Sequence, residues 1–330
     1  MASPLKVGIA GLGTVGASVV RLIDEQRQQL ALRTGRPIEV VAVSARSRNK
    51  DRGIDMKRLR WVADPVKLAN DPGIDAFVEL IGGEGGPARA AVTAALKAGK
   101  PVVTANKALL ARHGIELAEL AEKRGVALNF EAAAAGAIPI VKTLREGLAG
   151  NSVQRVYGIL NGTCNYMLTR MEREKLSFDE CLKEAQRLGY AEADPTADVD
   201  GLDAAAKAAI IASLAFHTRV GLDDVSVEGI REVTADDIRE AHASGCELKL
   251  LAIAQRRDDE HAQGVSVRVH PALVPNDHPL ASVHGAYNAV LVEAESAGRL
   301  MFYGQGAGGA PTASAVLSDV VAAAAHRVHG

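Results

Sequence analysis

The sequence is poor in the features that mark several large protein classes. Its 330 residues hold only three cysteines: Cys164, Cys181 and Cys246. They form no metal-type pair and leave one over if two were bridged, which suits a reducing cytosol better than a secreted fold. Basic excess is missing too, with a formal net charge of −2 and an isoelectric point near 6.5, so no nucleic-acid partner is expected. The opening MASPLKVGIA lacks the charged region, long apolar core and cleavage site of a signal peptide. No uninterrupted apolar run approaches the roughly 18 residues of a membrane span. Internal repeats and low-complexity tracts do not stand out. What remains is a soluble chain long enough for two domains, since single cores stop growing near ~250–300 residues.

The features that are present begin with Leu5 to Ala10, an apolar run leading into Gly11-Leu12-Gly13-Thr14-Val15-Gly16 and a helical pattern through about Leu30. Strand, glycine turn and helix in this order read as a dinucleotide-binding start. Gly11 allows the tight turn, Gly13 lets the backbone approach a pyrophosphate, and Gly16 permits close helix packing. The helix N-terminus then offers free N–H groups to the phosphates; a purely structural glycine turn is the alternative. After Ile38 to Val43, where a NAD-preferring site usually places an acid, come Ser44, Ala45, Arg46, Ser47 and Arg48. A basic, acid-free strand end suits the 2′-phosphate of NADP, although solvated loop charges would look the same. Strands at 74–81, 101–104 and 126–130 then alternate with helices at 87–98 and 109–124, the pattern of a doubly wound parallel sheet. Thr104-Ala105-Asn106-Lys107 follows a strand directly, at the carboxyl edge where such sheets bind ligands. Lys107 is therefore either a surface charge or a group beside the nicotinamide.

In the second half, Glu131 to Pro139 is too small and flexible for a good core segment; it reads as a link between domains, with Pro139 opening a helix to about Leu148. A strand at 152–160 ends in the polar turn Asn161 to Asn165, and Ser177 with Glu180 forms a capping box that starts a helix ending near Gly189. Next comes the stretch Gly189 to Lys207, with five carboxylates (Glu192, Asp194, Asp198, Asp200, Asp203) in a loop made turn-prone by Pro195 and Gly201. Asp203 and Lys207 are four apart, so on a helix they share a face and can reach one small molecule. From spacing alone, a solvated acidic loop before a salt-bridged helix is the competing reading. His217 reads as a core or capping histidine, and His270 and His278 as weak ligands. Strands at 248–254, 265–270 and 287–294 with longer connections suggest an α+β second domain. The glycines of Tyr303 to Gly309 precede a helix from about Thr312 and permit the tail to return and cover the cofactor.

Taken in order, GLGTVG, TANK, EAAAAGAIPI, GILNGTCNYM, GYAEADPTADVDGLDAAAK and GAGGAPTASAVLSD resemble the homoserine dehydrogenases over nearly the whole length. The resemblance implies a Rossmann-type α/β nucleotide domain over 1–135 plus about 305–330, and an α+β catalytic and dimerisation domain over 136–304. It also implies reversible reduction of L-aspartate 4-semialdehyde to L-homoserine, in threonine, methionine and isoleucine biosynthesis, by a cytoplasmic homodimer or homotetramer. Lys207 matches the proton donor and Lys107 a second lysine near substrate and nicotinamide. Glu192 and Asp203 match the ligands of the substrate amine, and Asp198 an acid that orients the cluster. NADP, with NAD as the alternative, is expected at Gly11, Gly13, Thr14, Val15, Gly16, Arg46, Thr104, Lys107, Gly189, Gly304 and Gly306. Sodium or a similar ion is implied near Glu131, Ala134, Gly136 and Ile138, mostly through backbone oxygens.

Three departures from the family pattern matter. Gln305 stands where proline is expected, and could loosen the cofactor loop. Cys164 stands where threonine is common, placing an oxidisable thiol near the site. Longer relatives carry a C-terminal ACT domain whereas this sequence stops at Gly330, so feedback through that module is not expected. Two other classes compete: an NADP-dependent oxidoreductase for a different amino or hydroxy acid, and a nucleotide sensor without turnover. The second would have little use for two lysines beside five carboxylates.

Overall fold

The apolar runs of the first third build β1 (Leu5–Ala10), β2 (Ile38–Ser44), β3 (Arg60–Trp61), β4 (Ala76–Glu79), β5 (Val102–Thr104) and β6 (Leu128–Asn129). All pair in parallel, in the order β3-β2-β1-β4-β5-β6. The chain leaves β1 in one direction and later returns to its other side with β4, so the topological switch point lies between these two strands. Helices cover the faces, which is why β1 is apolar almost throughout, with Leu5, Val7, Ile9 and Ala10 fully buried. This computed structural model describes residues 2–259 and 262–326, which divide into two units, Met1–Ala137 with Ala307–Gly330, and Ile138–Gly306. The chain is thus an α/β protein whose parallel sheet is joined by a second, mixed sheet.

Within the first unit, the helix after the glycine turn is shorter than the periodicity predicts. It spans Thr14–Glu25, and a second helix, Arg27–Thr34, follows. Gln26 leaves helical geometry (φ −101°, ψ 13°) in a largely exposed polar run where little apolar surface holds the turn. The last helix, Gly309–His326, buries Ala313, Val316 and Val320 in the same core as Val19 and Ile23. Its buried Asp319 accepts the Glu131 backbone N–H at 2.7 Å. Gly309 lets this helix approach closely, because a Cβ there would stand 2.8 Å from the Thr14 methyl, which would have to move.

The second unit carries β7 (Val153–Ile159), β8 (Val225–Val227), β9 (Cys246–Asp259), β10 (Ala262–Pro275), β11 (Tyr287–Ala294) and β12 (Gly298–Gln305), ordered β12-β11-β7-β9-β10-β8. Only the β8–β10 pair is parallel among the described residues. β9 and β10 extend well past the apolar segments expected at 248–254 and 265–270, because hairpin pairing carries their polar ends without a core. β12 has no counterpart in the sequence reading: its residues alternate between exposed and half-buried, so it carries no apolar signature. The helix expected from Pro139 is a single turn, Ile140–Lys142, followed by a π-turn at Thr143–Gly147. By contrast, Ser177 and Glu180 close the predicted capping box, and Leu202–Phe216 lays Ala205, Ala209 and Ala212 fully buried.

Candidate active site

At the carboxyl end of β1 three glycines answer to different constraints. Gly11 has φ 102°, and a Cβ on it would collide with the Leu80 carbonyl; one on Gly16 would collide with the Gly11 carbonyl. Both are demanded by the protein's own packing. Gly13 is not: its φ of −75° suits any residue, and nothing lies within 4 Å of the position a Cβ would take. A glycine that the fold does not require, at the N-cap of an exposed helix end, leaves space for an incoming anionic group. Thr14 is exposed beside it and Val15 packs toward the core.

Arg46 is exposed just beyond β2. The loop carrying it is tied down by Arg52, a residue the sequence reading passed over. The Arg52 guanidinium donates to the carbonyls of Ser47 (2.5 Å), Lys50 (2.6 Å) and Leu12 (3.0 Å), joining the basic loop to the glycine turn. Further along the sheet edge, Thr104 is fully buried. Its hydroxyl donates to Glu79 at 2.5 Å and accepts from the Asn106 backbone N–H at 3.0 Å, so this side chain is committed inside the protein. Lys107 opens the helix Lys107–Arg124, whose N-cap is Asn106.

In the second unit the five carboxylates divide. Asp194 caps the Thr196 backbone N–H at 3.1 Å, Asp200 pairs with Arg231 at 2.7 Å, and Glu192 is exposed. Asp198 and Asp203 instead converge on one amide: Asn161 Nδ2 donates to Asp198 Oδ1 at 2.7 Å and to Asp203 Oδ2 at 3.0 Å. The other end of the same side chain, Oδ1, caps the helix Gly162–Glu174 by accepting from Cys164 N at 2.8 Å. Lys207, 9% exposed, pairs with Asp203 at 2.7 Å and donates to the Leu160 carbonyl at 2.8 Å. That carbonyl also receives Asn288 Nδ2 at 3.0 Å. Asn161 was read only as part of a polar turn and Asn288 only as part of a strand, because asparagine in such places signals local structure until the fold brings it to a distant partner.

Other glycines expected at the cofactor have structural reasons of their own. Gly189 takes the left-handed conformation (φ 77°) that ends the helix Phe178–Leu188. A Cβ on Gly306 would collide with the Asn288 amide, and one on Gly304 would stand 3.3 Å from Ile138. Cys164 lies against the acids, its thiol donating to the Asp198 carbonyl at 3.2 Å. Burial first, then the charges of Asp198 and Asp203, push this thiol well above the ordinary range. It is held protonated and is therefore a poor nucleophile. His217 ends its helix in the left-handed region (φ 51°), a capping role.

Three side chains, Glu172, Glu247 and His284, lie with ligand atoms within 4.8 Å of one another. Lys249 already supplies a cation there, 2.7 Å from Glu247. Among the described residues no helix is long and apolar enough to cross a membrane.

Comparison with known proteins follows the same sequence landmarks. A family model described as homoserine dehydrogenase matches residues 139–321, and one described as homoserine dehydrogenase, NAD binding domain, matches residues 11–131. The homoserine dehydrogenase of Mycobacterium tuberculosis is 55% identical over 328 residues, covering 99% of this chain and 74% of the relative. A solved homoserine dehydrogenase from Thiobacillus denitrificans matches with a TM-score of 0.94 at 44% identity, over 99% of this chain and 74% of that one. A hyperthermophilic archaeal homoserine dehydrogenase mutant, solved in complex with NADPH, matches with a TM-score of 0.81 at 27% identity over 97% of both chains.

Proposed function

The chain belongs to the homoserine dehydrogenase family, an NAD(P)-dependent oxidoreductase family, and from that premise we propose that it interconverts L-aspartate 4-semialdehyde and L-homoserine with NADP(H). The step belongs to threonine, methionine and isoleucine biosynthesis. The observation that carries this reading is the buried Lys207 ammonium, fixed by Asp203 and the Leu160 carbonyl beside a second acid, Asp198. A substrate bearing an ammonium, a carboxylate and an aldehyde asks for acidic and proton-donating groups in one small space.

When bound, the reduced nicotinamide supplies the hydride that ends on the aldehyde carbon. Lys207 stabilises the negative charge that develops on the aldehyde oxygen and delivers the proton that completes the hydroxyl, help worth typically about 10²–10⁴-fold. Two of its three donors are spent on Asp203 and Leu160, so the ammonium is aimed rather than free to rotate. Asp203 and Glu192 take the substrate ammonium, Asp198 keeps Asn161 and hence Asp203 in place, and Lys107 is the second cation, toward the substrate carboxylate.

The first unit serves as the nucleotide-binding domain and the second as the catalytic and dimerisation domain. The unneeded Gly13 and the basic loop around Arg46 and Arg48, pinned by Arg52, support NADP as the nucleotide. A monovalent cation at Glu131, Ala134, Gly136 and Ile138 is part of the reading; Glu131 is a buried acid, and Gly136 ends the turn after it with a positive φ (59°). Exposed Met301, Tyr287 and Tyr303, the last two stacked, support a homo-oligomer, and three unpaired cysteines suit a cytoplasmic enzyme.

The assay is NADPH absorbance with aspartate semialdehyde, and NADP reduction with homoserine. An enzyme for another amino or hydroxy acid would bind NADPH and reject both substrates, while a sensor would bind NADPH and turn nothing over. Either result rules the reading out.

A further inference from the structure

The last residues of three neighbouring strands stand in register: Ala10 of β1 opposite Glu79 of β4, and Glu79 opposite Thr104 of β5. Glu79 thus ends β4, one of the two strands that border the switch point, and it is fully buried. An acid so placed has no counterpart in the readings from sequence, and no cation pairs with it in any of the ion pairs described above.

Its oxygens are taken by donors from two loops. Oε1 accepts the backbone N–H groups of Ile81 (2.7 Å) and Gly82 (3.1 Å). Oε2 accepts the Thr104 hydroxyl at 2.5 Å, and that hydroxyl accepts the Asn106 backbone N–H at 3.0 Å. The Asn106 side chain closes the circuit: Nδ2 donates to the Gly83 carbonyl at 2.8 Å, back in the first loop, while Oδ1 caps the Leu109 N–H at 3.1 Å. The result is a ring of hydrogen bonds, Glu79 to Thr104 to Asn106 to Gly83, ending on the residue just before Lys107. Gly82 and Gly83 both have φ near 85°, a left-handed conformation that favours glycine in this loop.

We propose that Glu79 is a positioning residue of the dehydrogenase: its carboxylate fixes the β4 loop and, through Thr104 and Asn106, the helix N-terminus that carries Lys107 beside the nicotinamide. The assignment rests on the proposed role of Lys107 above. Thr104 then acts as the hydroxyl link in the ring and not as a side-chain contact to the cofactor.

Glu79→Gln tests this at constant shape. With the amide nitrogen toward Ile81 and Gly82 their two N–H groups lose their acceptor; toward Thr104, the hydroxyl accepts a second donor and its own proton loses its acceptor, so a buried donor is left unpaired either way. The expected result is a kcat lowered about tenfold or more and an NADPH dissociation constant raised several-fold, as an unsatisfied buried donor of this kind costs about one to two orders of magnitude in an equilibrium. Thr104→Val should reproduce the defect, Thr104→Ser should lose less than Thr104→Val, and Glu79→Gln with Thr104→Val should be little worse than either alone, because both break one circuit. A lowered melting temperature with kcat and NADPH affinity within about twofold of wild type would mark Glu79 as merely structural and overturn the proposal. Equal losses in Thr104→Ser and Thr104→Val would do the same. If Glu79→Gln does not fold, the Thr104 pair decides. If wild type turns over neither aspartate semialdehyde nor homoserine, the functional reading has failed, and NADPH titration of the same variants still decides whether Glu79 orders the cleft.

Discussion

The two units prepare binding in opposite ways. In the first, the cradle is mostly main chain: glycines, strand ends and a helix terminus contiguous over a few residues, with Gly11 and Gly16 dictated by packing and Gly13 left over for a ligand. In the second, the cluster is made of side chains, and Asn161, Asp198, Asp203 and Lys207 come together only because a strand end, a loop and a helix converge. The difference teaches that a backbone site tolerates almost any side chain except at positions of steric contact, whereas a side-chain site depends on each partner's chemistry.

The sharpest test of that contrast is Lys207→Ala. Removing the buried Lys207 ammonium should lower kcat by about 10²–10⁴-fold while far-UV circular dichroism and NADPH binding stay near wild type. Near-normal turnover in a folded variant would end the assignment of the proton donor.

Next in size, Gly13→Ala and Gly16→Ala should separate ligand from packing. The first adds a methyl to empty space, so the melting temperature should hold while NADPH binding weakens on the order of tenfold, about 1.4 kcal/mol. The second forces a methyl into the Gly11 carbonyl and should destabilise the protein by about 1–3 kcal/mol. Equal melting temperatures in the two variants would break the distinction.

Asn161 offers a finer cut within the second unit. Asn161→Ala removes a helix cap worth about 1 kcal/mol together with the clamp on both acids. Asn161→Asp keeps the cap but sets a third carboxylate against Asp198 and Asp203. That variant should fold yet lose activity on the order of tenfold, about 1.4 kcal/mol, through like-charge repulsion. A fully active Asn161→Asp enzyme would show that the clamp does not matter.

The smallest effect concerns Cys164. Since burial raises its thiol in the folded state, the folded protein favours the protonated form. The resulting stability is complete below the unfolded value of about 8.5 and is lost as pH rises through the raised one. Alkaline denaturation should therefore begin slightly later in Cys164→Ala than in wild type when each is referenced to its own stability at pH 7. Iodoacetamide should label native Cys164 far more slowly than Cys246, by mass spectrometry at pH 8; rapid labelling would contradict the burial.

Residue by residue, legibility followed the range of the interactions. The glycine turn, the Ser177 capping box, the Asp203–Lys207 pair and the run of parallel strands were readable because each rests on neighbours one to four positions apart or on a regular period. The two-residue strand β3 and the alternating β12 escaped notice since neither has an apolar signature, and backbone pairing alone recruits them. The acidic loop looked like one cluster of five carboxylates, and the structure splits it into a cap, a surface ion pair, an exposed acid and a half-buried pair held by one amide. Arg52, Asn161, Asn288 and Glu79 stayed hidden, each being an ordinary polar residue until its distant partners are known.

The amino-acid order by itself determined the fold class, the nucleotide-binding start and the family, because period, glycine placement and motif order are local properties that no later packing reverses. Only the tertiary structure decided which acids keep company with Lys207, why Gly13 differs from its neighbours, and that Glu79 is buried among backbone donors. Those outcomes depend on how distant parts of the chain come together, as where Asn161 meets Asp198 and Asp203 and where Thr104 meets Glu79, and such meetings have no sequence spacing to betray them.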